Sequence, residues 1–206
     1  MATTQNGDIV RGRGRPRDED ARQRILSASL ELLEEAGFPQ VTVEAIAERA
    51  GVSKATVYRW WPNKAAVVIE AFRQAFEPEL PFVDTGSFRN DLLTQVRNFA
   101  RVLSGRGGRM LTAFVVAARN DPEVAQAFRT IWSAPRRAQA REMLKLTQSR
   151  GQLRPEADLD MVLDALYGPL YYRLLVKNEP PSQKYAEALV DLVLQGLSQE
   201  RPTVAP

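Results

Sequence analysis

The chain has 206 residues, 44% of them hydrophobic, and a formal net charge of only +3; this leaves room for one large or two small domains around a real core, and the bulk charge does not by itself argue for nucleic acid. It contains neither cysteine nor histidine, which excludes disulfides and thiol chemistry and removes the usual zinc ligands, the Ser-His-Asp triad and most general-base designs. No apolar run reaches membrane-spanning length and the N-terminus lacks the apolar centre of a signal peptide, so a cytoplasmic protein without membrane contact is expected.

Residues 1–17 read as a disordered basic arm. Residues 11–17, Arg-Gly-Arg-Gly-Arg-Pro-Arg, hold four cations and no acid, and such a segment cannot fold alone. It can lie in a minor groove, with Arg13, Arg15 and Arg17 as contacts, or stay a solvated tail. Gly-Arg-Pro at 14–16 also resembles the core of an AT-hook. A first helix is predicted over 18–36. Asp18, Glu19 and Asp20 suit its positive end, Ile25, Leu26, Leu30, Leu32 and Leu33 supply its apolar residues, and Gly37 and Phe38 close it.

Residues 42–61 then read as two short helices joined by a tight turn. Thr42 can cap the first, where Val43, Ile46, Ala47 and Ala50 share a face; Gly51 ends it, Val52 plugs the corner and Ser53 caps the second. Val57 and Trp61 are four apart and pack inward. That leaves Lys54, Ala55, Thr56, Tyr58, Arg59 and Trp60 on the other faces, an inventory that suits the wall of a DNA major groove. Small residues permit close approach, hydroxyls and cations take phosphates, and arginine forks onto guanine. An ordinary helical hairpin has the same outline, but the context favours a helix-turn-helix: an apolar helix precedes the pair, and a fourth helix, Lys64 to Phe76, follows as a bridge. The amides at the start of that fourth helix, with Lys64, can clamp a phosphate.

Ile25-Leu26-x-x-Ser29, Glu34-x-Ala36-Gly37-Phe38, the run from Thr42-Val43 to Thr56-Val57-Tyr58-Arg59, and Trp61-Pro62-x-Lys64 together resemble the N-terminal domain of TetR/AcrR-type transcriptional regulators over roughly residues 18–76. The resemblance implies a homodimeric, all-helical regulator, usually a repressor, released from operator DNA by a small molecule. The family often has Phe where Trp61 stands and His, Tyr or Arg where Trp60 stands; Trp61 keeps the apolar role, and the Trp60 indole N–H can still donate to a phosphate.

Pro78, Pro81 and Gly86 place a boundary near 77–86, so residues 77–206 form a second, larger helical domain for ligand binding and dimerisation. Helices are expected from Ser87 to Leu103 and from Arg109 to Ala118, with Gly105, Gly107 and Gly108 as a loop between them. A long helix over 122–149 should be kinked or broken at Pro135. Helices from Asp158 to Lys177 and from Ser182 to about Gln199 complete an all-α chain. The last two are apolar on more than one face and must be buried on two sides. A second copy is expected there, contacting Met161, Leu170, Leu174, Tyr185, Leu189, Leu192 and Gly196 in a four-helix dimer seam, the alternative being a simple large core. The two groove-reading helices should then sit about 34–36 Å apart, or open to that spacing.

Phe99, Met110, Phe114, Phe128, Trp132, Tyr167 and Tyr171 can line a ligand cavity or simply fill a core, and Arg119 can anchor a polar ligand or pair with a nearby acid. The expected function is a DNA-binding transcriptional regulator whose unknown small-molecule effector shifts the spacing of two reading heads. The alternative is a DNA-binding regulator with no small-molecule input, constitutive or controlled by a protein partner. With no catalytic set, metal site or cofactor motif in the sequence, an enzyme is not expected, nor is a cofactor.

Overall fold

A computed structural model describes residues 15–197, with side chains from Glu19 onward. All regular structure among them is helical: α1 (Arg15–Ala36), α2 (Val43–Ala50), α3 (Lys54–Trp60), α4 (Lys64–Phe76), α5 (Phe88–Ser104), α6 (Arg106–Ala118), α7 (Pro122–Ala127), a π segment (Phe128–Ser133), α8 (Ala134–Ser149), α9 (Leu159–Leu175) and α10 (Gln183–Leu197). The expected disorder of the arm and the role of Arg13 lie outside the described residues. Arg15 and Arg17, assigned above to the arm, belong by backbone to the first turn of α1. A proline there is no obstacle, because the amide it lacks would have no intrahelical partner. Nothing in the described structure bears on their side chains.

The helix-turn-helix forms for the reasons the sequence supplies. Thr42 Oγ1 accepts from the Ala45 amide at 3.1 Å, and Ser53 Oγ accepts from the Thr56 amide at 3.2 Å. Between the two helices Gly51 sits at φ 65°, a left-handed conformation that glycine adopts without steric cost. Asn63 caps α4 by accepting from the Ala66 amide at 2.9 Å.

Two elements differ from expectation. Gly107 and Gly108 are not loop residues; they are buried in the first turn of α6. A Cβ on Gly108 would lie 1.9 Å from the Leu103 carbonyl oxygen, and one on Gly107 would lie 2.6 Å from Val102 Cγ1. Here glycine permits close approach of two helices rather than breaking one. Over 122–149 the chain stays helical throughout. Pro135 has no amide to offer the Ile131 carbonyl, and the turns just before it widen into the π segment.

The head (α1–α3) and the body (α5–α10) share one continuous core, in which Ile25 and Ile46 of the head, Val67, Ile69 and Phe72 of α4, and Leu92, Phe114 and Leu163 of the body are all buried. Phe72 meets Phe76, Phe114 and Trp132 with ring centroids 4.8, 5.4 and 4.8 Å away. Phe38, just after α1, meets Phe114 edge-on at 5.5 Å. Arg106 of α6 pairs with Glu34 of α1 and stacks on Phe76 at 5.2 Å. α4 therefore reaches from the helix-turn-helix into the centre of the body without a flexible joint.

Candidate nucleic-acid interface and the internal cavity

The third helix turns its polar side outward. Val57 and Trp61 are buried behind it, while Ser53, Lys54, Ala55, Tyr58, Arg59 and Trp60 are exposed and Thr56 is half-buried. The Trp61 indole N–H donates to Glu70 Oε2 of α4 at 2.9 Å, and Arg22 of α1 pairs with the other oxygen of that carboxylate. The same guanidinium lies 5.9 Å from the Trp60 ring and 5.8 Å from the Trp61 ring. One arginine and one glutamate thus tie the back of α3 to both α1 and α4. Trp60 is stacked at the rim by Arg22 and by Arg59, also at 5.9 Å.

Some of the expected contacts are engaged inside the chain. Lys54 Nζ donates to Glu44 Oε1 at 3.0 Å; the bond holds the glutamate below its usual pKa and the lysine above. Ser53 and Thr56 share a hydroxyl–hydroxyl hydrogen bond at 2.9 Å. Lys64 Nζ donates to the Phe38 carbonyl at 3.3 Å and sits 4.6 Å from the Phe38 ring centre. An ammonium has three donors, so this anchoring leaves Lys64 capacity for a phosphate.

In the body a cavity of about 430 Å³ opens between α5, α8, the π segment and α9, within the range of roughly 300–1,000 Å³ typical of small-molecule sites. Of the residues expected to line a cavity, Phe99, Trp132, Tyr167 and Tyr171 do so. The others do not. Phe114 is fully buried in the aromatic core beside Phe38 and Phe72, with Phe128 packed against it at 6.5 Å. Met110 faces a separate cleft between α1 and α6, lined also by Leu33, Phe38 and Arg106. Arg119 is exposed at the end of α6. An apolar periodicity alone does not distinguish a cavity wall from a solid core, which is why the aromatic set divides between the two.

The remaining lining residues were not anticipated, and three of them, Gln95, Phe82 and Arg136, form a bonded group. Gln95 interrupts the apolar face formed by Leu92, Val96 and Phe99, a signal present in the sequence. Phe82 and Arg136 gave none. Gln95, with its amide oriented to satisfy both neighbours, donates to the Pro81 carbonyl at 2.9 Å and accepts from Arg136 at 2.6 Å. Arg136 also donates to the Leu80 carbonyl at 2.8 Å and lies 4.5 Å from the Phe82 ring centre. Burial lowers its pKa. Burial likewise raises Tyr167, and it pushes Tyr171 up to about 12.

On the expected dimer face the structure divides the residues. Leu170, Leu174 and Leu189 are buried within the protomer, because their sides of α9 and α10 pack on its own core, and Tyr185 stacks on Arg173 at 4.6 Å. Met161, Tyr172, Val176 and Leu192 are 69%, 55%, 68% and 67% exposed. Gly196 is exposed too, and Met161, Pro169, Leu192 and Gly196 border one groove between the helices. Among the described residues no helix is long and apolar enough to cross a membrane.

Residues 25–71 match the family profile described as bacterial regulatory proteins, tetR family, and residues 82–193 match the tetracyclin repressor-like C-terminal domain. The HTH-type transcriptional regulator YdeS of Bacillus subtilis is 42% identical over 191 residues, 93% of this chain and 96% of that one. A crystal structure of the TetR family transcription regulator SCO0332 superposes with a TM-score of 0.77 at 42% identity, covering 87% of this chain and 99% of that one. Thermus thermophilus FadR, a TetR family transcriptional repressor solved in complex with lauroyl-CoA, superposes at 0.65 with 25% identity, covering 90% of this chain and all of that one. With a helix-turn-helix whose third helix keeps its polar side exposed, profiles matching both halves and relatives covered over nearly their full length, the chain belongs to the TetR family of transcriptional regulators, which are not enzymes.

Proposed function

We propose that the chain works as a homodimeric repressor, released from its operator when a small molecule enters the cavity of the body. The observation that carries this reading is the contact between Trp132 and Phe72: Trp132 forms part of the cavity wall and packs at 4.8 Å on a buried ring of α4, the helix that starts beside the recognition helix. A ligand that binds one arrangement of the Trp132 wall better than another biases the position of α4, by no more than that difference in affinity. In a dimer, a few Å at the end of α4 changes the separation of the two heads and prevents both from engaging one duplex. The π segment that holds Trp132 is the kind of local helical irregularity often found at functional sites. The exposed apolar face of α9 and α10 supports a second copy as its cover, and lauroyl-CoA bound to a relative of the same fold supports an effector. A cavity of this size weighs against a regulator without small-molecule input. Work on operator DNA requires a cytoplasmic location.

On the DNA side, Lys54, Thr56 and Arg59 are the candidates nearest base edges, with Thr42, Ser53, Ala55, Tyr58, Trp60 and Lys64 contacting or approaching the backbone. The test is selection of bound sequences from a random DNA library, followed by salt-dependent binding of variants. Arg59→Ala should lose discrimination at one base position at a cost of about 1–3 kcal/mol. Lys64→Ala should weaken all sequences alike and flatten the salt dependence. Identical behaviour of the two variants would overturn this division of roles.

A further inference from the structure

We propose that the cavity takes a planar aromatic carboxylate, its rings lodged among Phe82, Phe99, Trp132 and Tyr171 and its carboxylate paired with Arg136. The inference rests on the effector reading above and narrows it to a chemical class.

The first observation is charge. Arg129, Arg136 and Arg137 line the cavity, and no aspartate or glutamate does. Arg137 is committed to Asp160 and Asp164, at 3.1 and 2.8 Å. Arg136 has no carboxylate within ion-pairing distance among the described residues; its protein partners are the Leu80 carbonyl and the Gln95 amide. These use two of the five N–H donors of a guanidinium. Taking a cation partly out of water without a contacting counter-ion is costly; burial is the first cause of the depressed pKa of Arg136, and Glu77, beyond ion-pairing distance, offsets only part of it. An incoming carboxylate supplies the missing partner, and a guanidinium can grip it with two parallel bonds.

The second observation is shape. Five of the lining residues carry aromatic rings. Phe99 meets Tyr167 and Tyr171 edge-on at 5.6 and 5.7 Å, so ring faces and edges are already set at the spacings that aromatic guests prefer. Both tyrosine hydroxyls are protonated at neutral pH, as tyrosines ordinarily are, so they can donate to an acceptor and do not repel an anion.

Calorimetry on the full chain without DNA, using 2-naphthoate, the neutral 2-naphthamide and octanoate as probes, tests this class. 2-Naphthoate should bind about tenfold or more tighter than either of the others. Arg136→Met should reduce the acid-to-amide ratio to about twofold or less, while Arg136→Lys retains part of the preference, since a point charge survives without the fork. If Arg136→Met fails to fold, the Arg136→Lys variant and the wild-type probe ranking still decide. Equal binding of the amide removes the role of charge, equal binding of octanoate removes the role of the rings, and no binding of 2-naphthoate removes both; each overturns the proposal. Gel shifts with selected operator DNA run in parallel separate this from the broader reading. Arg136-dependent 2-naphthoate binding that leaves the operator complex intact upholds the ligand class and sinks release. Release by a neutral ligand does the reverse.

Discussion

Among single residues, the Trp61 indole ties the back of α3 to its neighbours. Trp61 combines a buried ring with an N–H that Glu70 accepts, while Arg22 neutralises the same carboxylate. Trp61→Phe keeps most of the apolar volume and removes only the donor, and should cost about 1 kcal/mol in thermal or denaturant unfolding. Trp61→Ala adds a cavity and should cost about 3–5 kcal/mol. On the exposed side, Glu44 holds Lys54 in the free protein. Glu44→Gln removes both the competing partner and a negative charge on the side proposed to meet DNA. Affinity should rise several-fold for all sequences, and the salt dependence should steepen by up to about one unit of slope, readable by fluorescence anisotropy. Val57, Trp61 and the polar set around them were legible in the sequence because a two-turn helix against a core has little choice of which face to bury. That Lys54 and Lys64 already have partners was not, since those partners, Glu44 and the Phe38 carbonyl, come from other elements.

Whole elements show where local rules run out. Thr42, Gly51 and Ser53 marked their helix ends because a cap is a local event, decided within three or four residues. Gly107 and Gly108 read as a loop because glycine disfavours helix interiors; the tight α5–α6 corner instead leaves no space for a Cβ. Gly108→Ala, which on an exposed helix would stabilise, should here destabilise by about 2–4 kcal/mol, measured by chemical denaturation; a neutral or stabilising result would mean that the corner can open. Pro135 was expected to kink or break a helix. The structure absorbs its missing amide as a widened turn, which brings Trp132 into contact with both the cavity and α4.

For the whole molecule, the exposed residues of α9 and α10 carry the expectation of a dimer. Leu192 is exposed in the protomer, so Leu192→Glu should leave helical content by circular dichroism unchanged. It should shift the sedimentation profile to monomer and weaken binding to a two-site operator on the order of 100-fold, as expected when two linked contacts become one. A variant that stays dimeric would move the interface elsewhere. By itself, the sequence determined the all-helical class, the helix-turn-helix with its caps and buried anchors, and the family, because each is written in spacings within a few turns of chain. Which aromatic residues enclose space and which fill it, that Arg136 lies half-buried with no carboxylate in ion-pair contact, and that one row of rings runs from the cavity to α4 are set by the tertiary structure alone. Those facts depend on which faces of distant helices meet, and periodicity along one helix does not specify its neighbour.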